Sequence, residues 1–182
     1  MVTATCQRVF FQTADYMPQQ RLKNPYISIS IAQQLLELRH GQSLLKSFRI
    51  STAKNGPGEK FGSECTPRGR HRIRAKIGAG LPLMSVFVGR RPTGEIYSPE
   101  TSLKYPNRDW ILTRILWLGG MEAGKNRFGN VDTAKRYIYI HGSPETQVTG
   151  VPNSHGCIRM KNTDILDLFD HVDTSTYVLI AP

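Results

Sequence analysis

Apolar and polar residues alternate in several short runs of this chain, and a period of two predicts β-strands. Ile27, Ile29 and Ile31 alternate with Ser28 and Ser30, which predicts an opening strand from Tyr26. Leu35 to Leu38 and Leu44 to Ile50 flank His40-Gly41 and read as a hairpin with the glycine in the turn. Helix competes for Gln33 to Arg39, because a run this short fits either period. Ser51 to Cys65 is polar and ends in Thr66-Pro67-Arg68-Gly69, a turn pattern with Pro second and Gly fourth. His71, Ile73, Ala75 and Ile77 then alternate with Arg70, Arg72, Arg74 and Lys76, giving one apolar and one cationic face. Val86 to Val88 and Glu95 to Tyr97 are weaker strands, and Trp110 to Leu118 is a stronger one.

Gly119 to Lys135 carries four glycines and several charges, and loops of this length often form lids or rims around substrates. Ile138 and Ile140 alternate with Tyr137, Tyr139 and His141, a strand that ends at the histidine before Gly142. The period changes only near the C-terminus. Ile165, Leu168, Phe169 and Val172 fall on one helical face, with Asn162 placed to cap the helix. Thr176 to Ile180 reads as a closing strand. The pattern therefore predicts a mainly β domain of six to nine strands with one helix near the C-terminus, arranged as a sandwich or a barrel-like pair of sheets. Residues 1 to 25 show no period and read as a lead-in, leaving 26 to 182 as a single domain.

Composition narrows this picture. The 182 residues suffice for one well-cored domain, and the 39% hydrophobic and 21% charged fractions fit a globular chain rather than a disordered one. A surplus of 24 basic over 14 acidic residues favours anionic partners, although a basic surface also serves solubility alone. No motif for binding DNA or RNA accompanies the charge, so nucleic acid is not expected as a partner. The cysteines Cys6, Cys65 and Cys157 form no CxxC pair, and their odd number argues against a disulfide framework. No run approaches the roughly 18 apolar residues of a membrane span, and no secretory signal opens the chain. As it stands the sequence predicts a cytoplasmic location, or a periplasmic or wall location if an export signal has been removed.

The chemistry concentrates in Ser154-His155-Gly156-Cys157-Ile158-Arg159, with His141-Gly142 sixteen residues before the cysteine. An imidazole is the usual agent that turns a thiol into a nucleophile near neutral pH. Either His141 or His155 can serve as that base. Gly156 permits close approach of a substrate and frees the next amide to face an oxyanion. Arg159 can bind a carboxylate or favour a thiolate. Plainer readings stand beside these: a buried small Cys157, a structural His155, a turn at Gly156, and Arg159 paired with Asp164. A zinc site from His141, His155 and Cys157 matches no common spacing and lacks a fourth ligand, so no metal or cofactor is expected. A papain-like order is disfavoured because the cysteine follows its histidine.

IHG followed by a loop and SHGCIRM resembles the signature of the L,D-transpeptidase catalytic domain, also called the YkuD domain. The likeness extends through the Tyr26 strand, the Thr66-Pro67-x-Gly69 turn, the Arg114-to-Gly119 strand and the terminal helix and strand, about residues 26 to 180. It implies a β-sandwich-like fold of two mixed sheets with the cysteine at the mouth of a groove. It further implies action on peptidoglycan stem peptides or muropeptides: Cys157 attacks the L-centre carbonyl of the third residue, and the terminal D-alanine leaves. By the motif, His141 is the general base, oriented by the Gly142 carbonyl. His155, Gly156 and the Cys157 amide frame the oxyanion hole, Arg159 faces substrate or braces the site, and Ser154 faces substrate. Ser143 replaces the Thr common after HG. The acyl group then passes to an amine, or to water in an L,D-carboxypeptidase of wall recycling; the rival from another class is a non-enzymatic basic binding domain with Cys157 buried.

Overall fold

The computed structural model describes residues 24–182, so nearly all of the expected lead-in lies outside the described residues. Ten strands form one connected sheet. In chain order they are β1 Tyr26–Ser30, β2 Leu35–His40, β3 Ser43–Ser51, β4 Gly69–Ile77, β5 Ser85–Val88, β6 Arg91–Ile96, β7 Ile111–Gly120, β8 Tyr139–Gly142, β9 Ile158–Met160 and β10 Tyr177–Ala181. Two helices, α1 Pro99–Lys104 and α2 Asn162–Asp170, interrupt them. The spatial order is β4-β10-β1-β2-β3-β9-β8-β7-β5-β6, and β4 also pairs with β7. β1–β10 and β8–β9 run parallel and the other neighbours antiparallel, so the sheet is mixed, as expected.

The β4–β7 pairing closes eight strands into a barrel, which replaces the expected stack of two separate sheets. The cause lies in β7. Its first residues pair with β5 (Leu112 opposite Val86), and its later ones with β4 (Leu118 opposite Ile73). Thr113 between them sits at φ +68°, and the register against β8 shifts between Leu112 and Ile115. A bulge bends and twists a strand, so β7 leaves one neighbour and finds another. A period-two pattern does not record such a bend.

Barrel closure gives one main core. Ile27, Ile29, Leu36, Leu38, Ile50, Ile73, Leu116, Ile140, Ile158 and Val178 are buried within it, joined by Ile165, Leu168 and Phe169 of α2. The Gln33–Arg39 ambiguity resolves as β2, paired with β1 and β3 on its two edges. Asn162 does not cap α2: Lys161 holds the cap position, and Asn162 is the first helical residue and buried. The cationic face of β4 is only partly solvated. A register shift between Ile73 and Ala75 turns Lys76 under α2, where Nζ donates to the Phe169 carbonyl (2.7 Å) and that of Val172. A cation there satisfies carbonyls left open at the helix end and complements its dipole. The pattern also missed α1, which opens with a reciprocal capping box between Ser98 and Thr101.

The loop expected as a lid is knitted to its surroundings. Buried Asn126 donates to the carbonyls of Arg68 (2.9 Å) and Arg70 (3.2 Å), and Glu122 accepts from the Arg70 amide at 2.6 Å. The Phe61 amide donates to Asn130 O at 2.6 Å, tying the loop before β4 to the one before β8. No helix among the described residues is long and apolar enough to cross a membrane.

His71 of β4 is buried, with Nδ1 3.0 Å from Gly69 O and Nε2 3.0 Å from Thr133 Oγ1. A carbonyl only accepts, so Nδ1 carries a proton, and it is burial that favours the neutral ring. Burial pushes its pKa down to about 4. A histidine depressed in the fold and ordinary when unfolded costs stability as pH falls from 6.5 toward 4, by roughly 3 kcal/mol for this shift. The depressed carboxylates Glu59, Glu122 and Asp132 add losses only below about pH 4.5. Denaturant unfolding should therefore show stability dropping between pH 6.5 and 4.5, more shallowly in His71→Gln; a flat profile there contradicts the buried neutral imidazole.

Candidate active site

The site forms where β8 and β9 lie side by side in parallel, with Ile140 opposite Ile158 and His141 opposite Arg159. Alternate residues of a strand share a face, so Tyr139, His141 and Arg159 come together, with Cys157 just before β9. The strand begins two residues later than the alternation suggests, because Tyr137 takes a left-handed φ of +58°. That twist aims the Tyr137 carbonyl at the thiol: Cys157 Sγ donates to it at 3.5 Å and accepts from the Tyr139 amide at 3.4 Å.

His141 is buried, with Nδ1 2.8 Å from the Gly142 carbonyl and 3.4 Å from Ser143 Oγ. The carbonyl again fixes the proton on Nδ1 and leaves Nε2 as a lone-pair acceptor. Gly142 holds its place for lack of space: a Cβ would lie 2.5 Å from Asn162 Oδ1 and 2.7 Å from Leu112 O. Asn162 is a site residue that pattern reasoning assigned to a cap. Its Nδ2 donates to Ser143 O (2.8 Å) and its Oδ1 accepts from Thr113 Oγ1 (2.6 Å), clamping the backbone after the histidine to β7.

The electrostatics favour neutral partners. Burial is the chief influence on His141 and holds it below the ordinary imidazole range, against the opposing pull of Asp109 and the Gly142 carbonyl. Burial likewise pushes the Cys157 thiol up to about 12, with Asp109 adding to the rise and the Tyr139 amide opposing it. The resting pair is a thiol and a neutral imidazole.

Asp109, just before β7, is the charged residue that the sequence reading missed. Its Oδ1 accepts from Arg159 Nη2 at 2.7 Å, and its Oδ2 lies 3.9 Å from His155 Nδ1. Desolvation is the largest influence on it and acts upward, but His141 and Arg159 together hold the carboxyl below its usual range. The only sequence signal was an acidic residue directly before the strongest strand. Arg159 pairs here rather than with Asp164, and Nη1 donates to Asn153 O and Oδ1, both at 3.0 Å. Its side chain is 6% exposed, so it braces the loop and holds Asp109.

The remaining signature residues separate by role. The Ser154 hydroxyl donates to Cys157 O (2.6 Å) and accepts from Gly156 N (3.3 Å), and the residue is 2% exposed. It is built into the turn, which corrects its placement toward substrate. The same bond engages the Gly156 amide within the turn. Gly156 itself needs a φ of +125°, and its carbonyl accepts from Thr66 Oγ1 at 3.0 Å. His155 is exposed and joins Phe61, Gly62, Glu64, Arg136, Tyr137 and Ile138 around a pocket of about 190 Å³. His141, His155 and Cys157 do not converge as metal ligands: the described residues contain no group of three or more His, Cys, Asp or Glu able to hold an ion.

Comparison with known proteins identifies the family and the fold. The family model described as the L,D-transpeptidase catalytic domain, YkuD, matches residues 24–180, and the chain belongs to that family. An L,D-transpeptidase from Mycobacterium smegmatis superposes with a TM-score of 0.54 at 16% identity, over 87% of this chain and 59% of that one. One from Xylanimonas cellulosilytica gives 0.51 at 18% identity, over 92% and 66%. L,D-transpeptidase 3 of Mycobacterium tuberculosis gives 0.52 at 14%, over 87% and 62%. At these identities the likeness is one of fold, and the chain spans less than two thirds of each structure. No curated protein sequence matches significantly.

Gly156→Ala should cost about 1–3 kcal/mol, since an L-residue is strained at this φ and its Cβ would stand 3.1 Å from Ile138 Cδ1. Chemical denaturation measures it; a loss under about 0.5 kcal/mol would show that the turn adapts.

Proposed function

We propose that this chain is a cysteine acyltransferase of peptidoglycan stem peptides, cleaving the L,D bond before the terminal D-Ala of a tetrapeptide through a Cys157 thioester. The observation that carries this reading is the bond from His141 Nδ1–H to the Gly142 carbonyl, on the strand paired with β9. It leaves Nε2 basic on the face that the thiol shares. Because both groups rest neutral, proton transfer accompanies attack. As Sγ bonds to the carbonyl carbon of the third residue, its proton moves to Nε2. The imidazolium so formed is stabilised by Asp109 and the Gly142 carbonyl, as the third member of a triad does.

The Cys157 N–H is the donor in this turn for the developing oxyanion, the Gly156 amide being engaged by Ser154. Collapse breaks the C–N bond, the imidazolium returns its proton to the D-Ala amine, and the thioester remains. An amine then attacks the thioester, and the thiol regains its proton. Water in place of the amine would give the L,D-carboxypeptidase of wall recycling. Transfer calls for a location outside the cytoplasmic membrane, hydrolysis for one within it.

Incubation with a disaccharide tetrapeptide should give a thioester adduct by intact mass and release D-Ala. Cys157→Ser should form no thioester, and His141→Gln should lose at least ~100-fold in kcat/KM. An added amine acceptor should yield the cross-linked product; tripeptide alone would make the enzyme a hydrolase. A folded wild type that forms no adduct and releases no D-Ala sinks the reading. The pH profile gives a second check. Since His141 must be neutral and its pKa lies below 6.5, kcat/KM should be level above pH 6.5 and fall only at more acid pH. With the thiol near 12, iodoacetamide should label Cys157 slowly at pH 6; fast labelling there would mean a preformed thiolate.

A further inference from the structure

The thiol's surroundings include a cationic and aromatic cluster that the acyl-transfer steps leave unused. Gly89 and Arg90 form the two-residue turn between β5 and β6, both at positive φ (+54° and +70°). Hairpins favour this turn, but its second position suits glycine, and an L-residue there is strained. β6, which follows, is exposed along its length, so packing of that strand does not demand an arginine in the turn before it. Ring contacts and one hydrogen bond hold the guanidinium in place. It lies 4.4 Å from the Trp117 ring centroid and 4.9 Å from that of Tyr137, and Nη1 donates to Tyr139 Oη at 2.8 Å. Tyr137 and Tyr139 are the two residues whose backbone groups hold Cys157 Sγ.

Arg74 lies 4.7 Å from the same Trp117 ring. Two guanidinium groups thus share one indole. Among the described residues, neither has a carboxylate within ion-pair distance. Two cations without a carboxylate partner raise the local positive potential, which favours an anion beside them. Arg90 spends one of its five donors on Tyr139, and the stack fixes the plane of the rest, the state in which a guanidinium grips a carboxylate in two-point fashion.

Resting on the acyl-transfer reading, we propose that Arg90, with Arg74 across Trp117, forms a carboxylate subsite. It selects acyl donors whose attacked residue carries a free carboxylate at the end of its side chain. Diaminopimelate at the third stem position has that group; lysine lacks it. The pair therefore works as a probe.

Calorimetric binding to a Cys157→Ala protein, which cannot turn over, separates this from the chemistry. The diaminopimelate tetrapeptide should bind at least tenfold more tightly than the lysine one. Adding Arg90→Gln should abolish that preference while changing the lysine peptide's affinity less than twofold, and Arg90→Lys should keep part of it. Thermal melts establish that each variant is folded. The proposal is overturned by equal binding of the two peptides, by no binding of either, or by an Arg90→Gln loss that is the same for both. The last result would make Arg90 only a support for Tyr139. If the wild type forms no thioester, the acyl-transfer reading falls alone, and the binding preference still decides the subsite.

Discussion

The parallel pairing of β8 with β9 is the constraint on which the site depends. Two parallel neighbours cannot be joined by a tight turn, and the usual crossover is a helix. Here the crossover is the irregular segment from Ser143 to Cys157, with one short 3-10 turn at Glu145–Gln147. Such a segment needs partners for its backbone. The Asn153 and Ser154 amides donate to Thr52 O, Arg159 holds Asn153, and the Ser154 hydroxyl closes the last turn. Most of the conspicuous polar residues of the signature are occupied in this way. The crossover ends with a thiol delivered beside the strand that carries the imidazole.

Burial then sets the chemistry. The same packing that fixes both groups buries the imidazole and part of the thiol, and desolvation acts in opposite directions on an acid and a base. It raises the thiol and lowers the imidazole, so both rest uncharged. Asp109, half exposed at the edge, tempers the imidazole and is itself held by Arg159. Charge develops only during attack, where the Gly142 carbonyl and Asp109 already stand.

Much of this was legible in the residues. The alternation in Ile27–Ile31 and the glycine of the Gly41 turn have local causes, and the strands formed where that pattern lay. His141 and Cys157 stood out because a thiol and an imidazole near glycines are chemically conspicuous. The barrel closure was not legible, since it turns on a bulge at Thr113 whose residue type does not announce a positive φ. Nor were Asp109 and Asn162: each acts through a partner about fifty residues away, and spacing along the chain carries no trace of that contact. Ser154 misled for the opposite reason, a hydroxyl beside a nucleophile that the turn itself consumes.

The central claim is that the resting site holds a neutral His141 protonated on Nδ1. Nitrogen-15 NMR of the histidine-labelled wild type, assigned with His141→Gln, reads this directly. The account predicts one protonated nitrogen, Nδ1, and one bare nitrogen, Nε2, at pH 7, with the second proton arriving only below pH 6.5. An imidazolium protonated on both nitrogens at pH 7, paired with a thiolate, would contradict it.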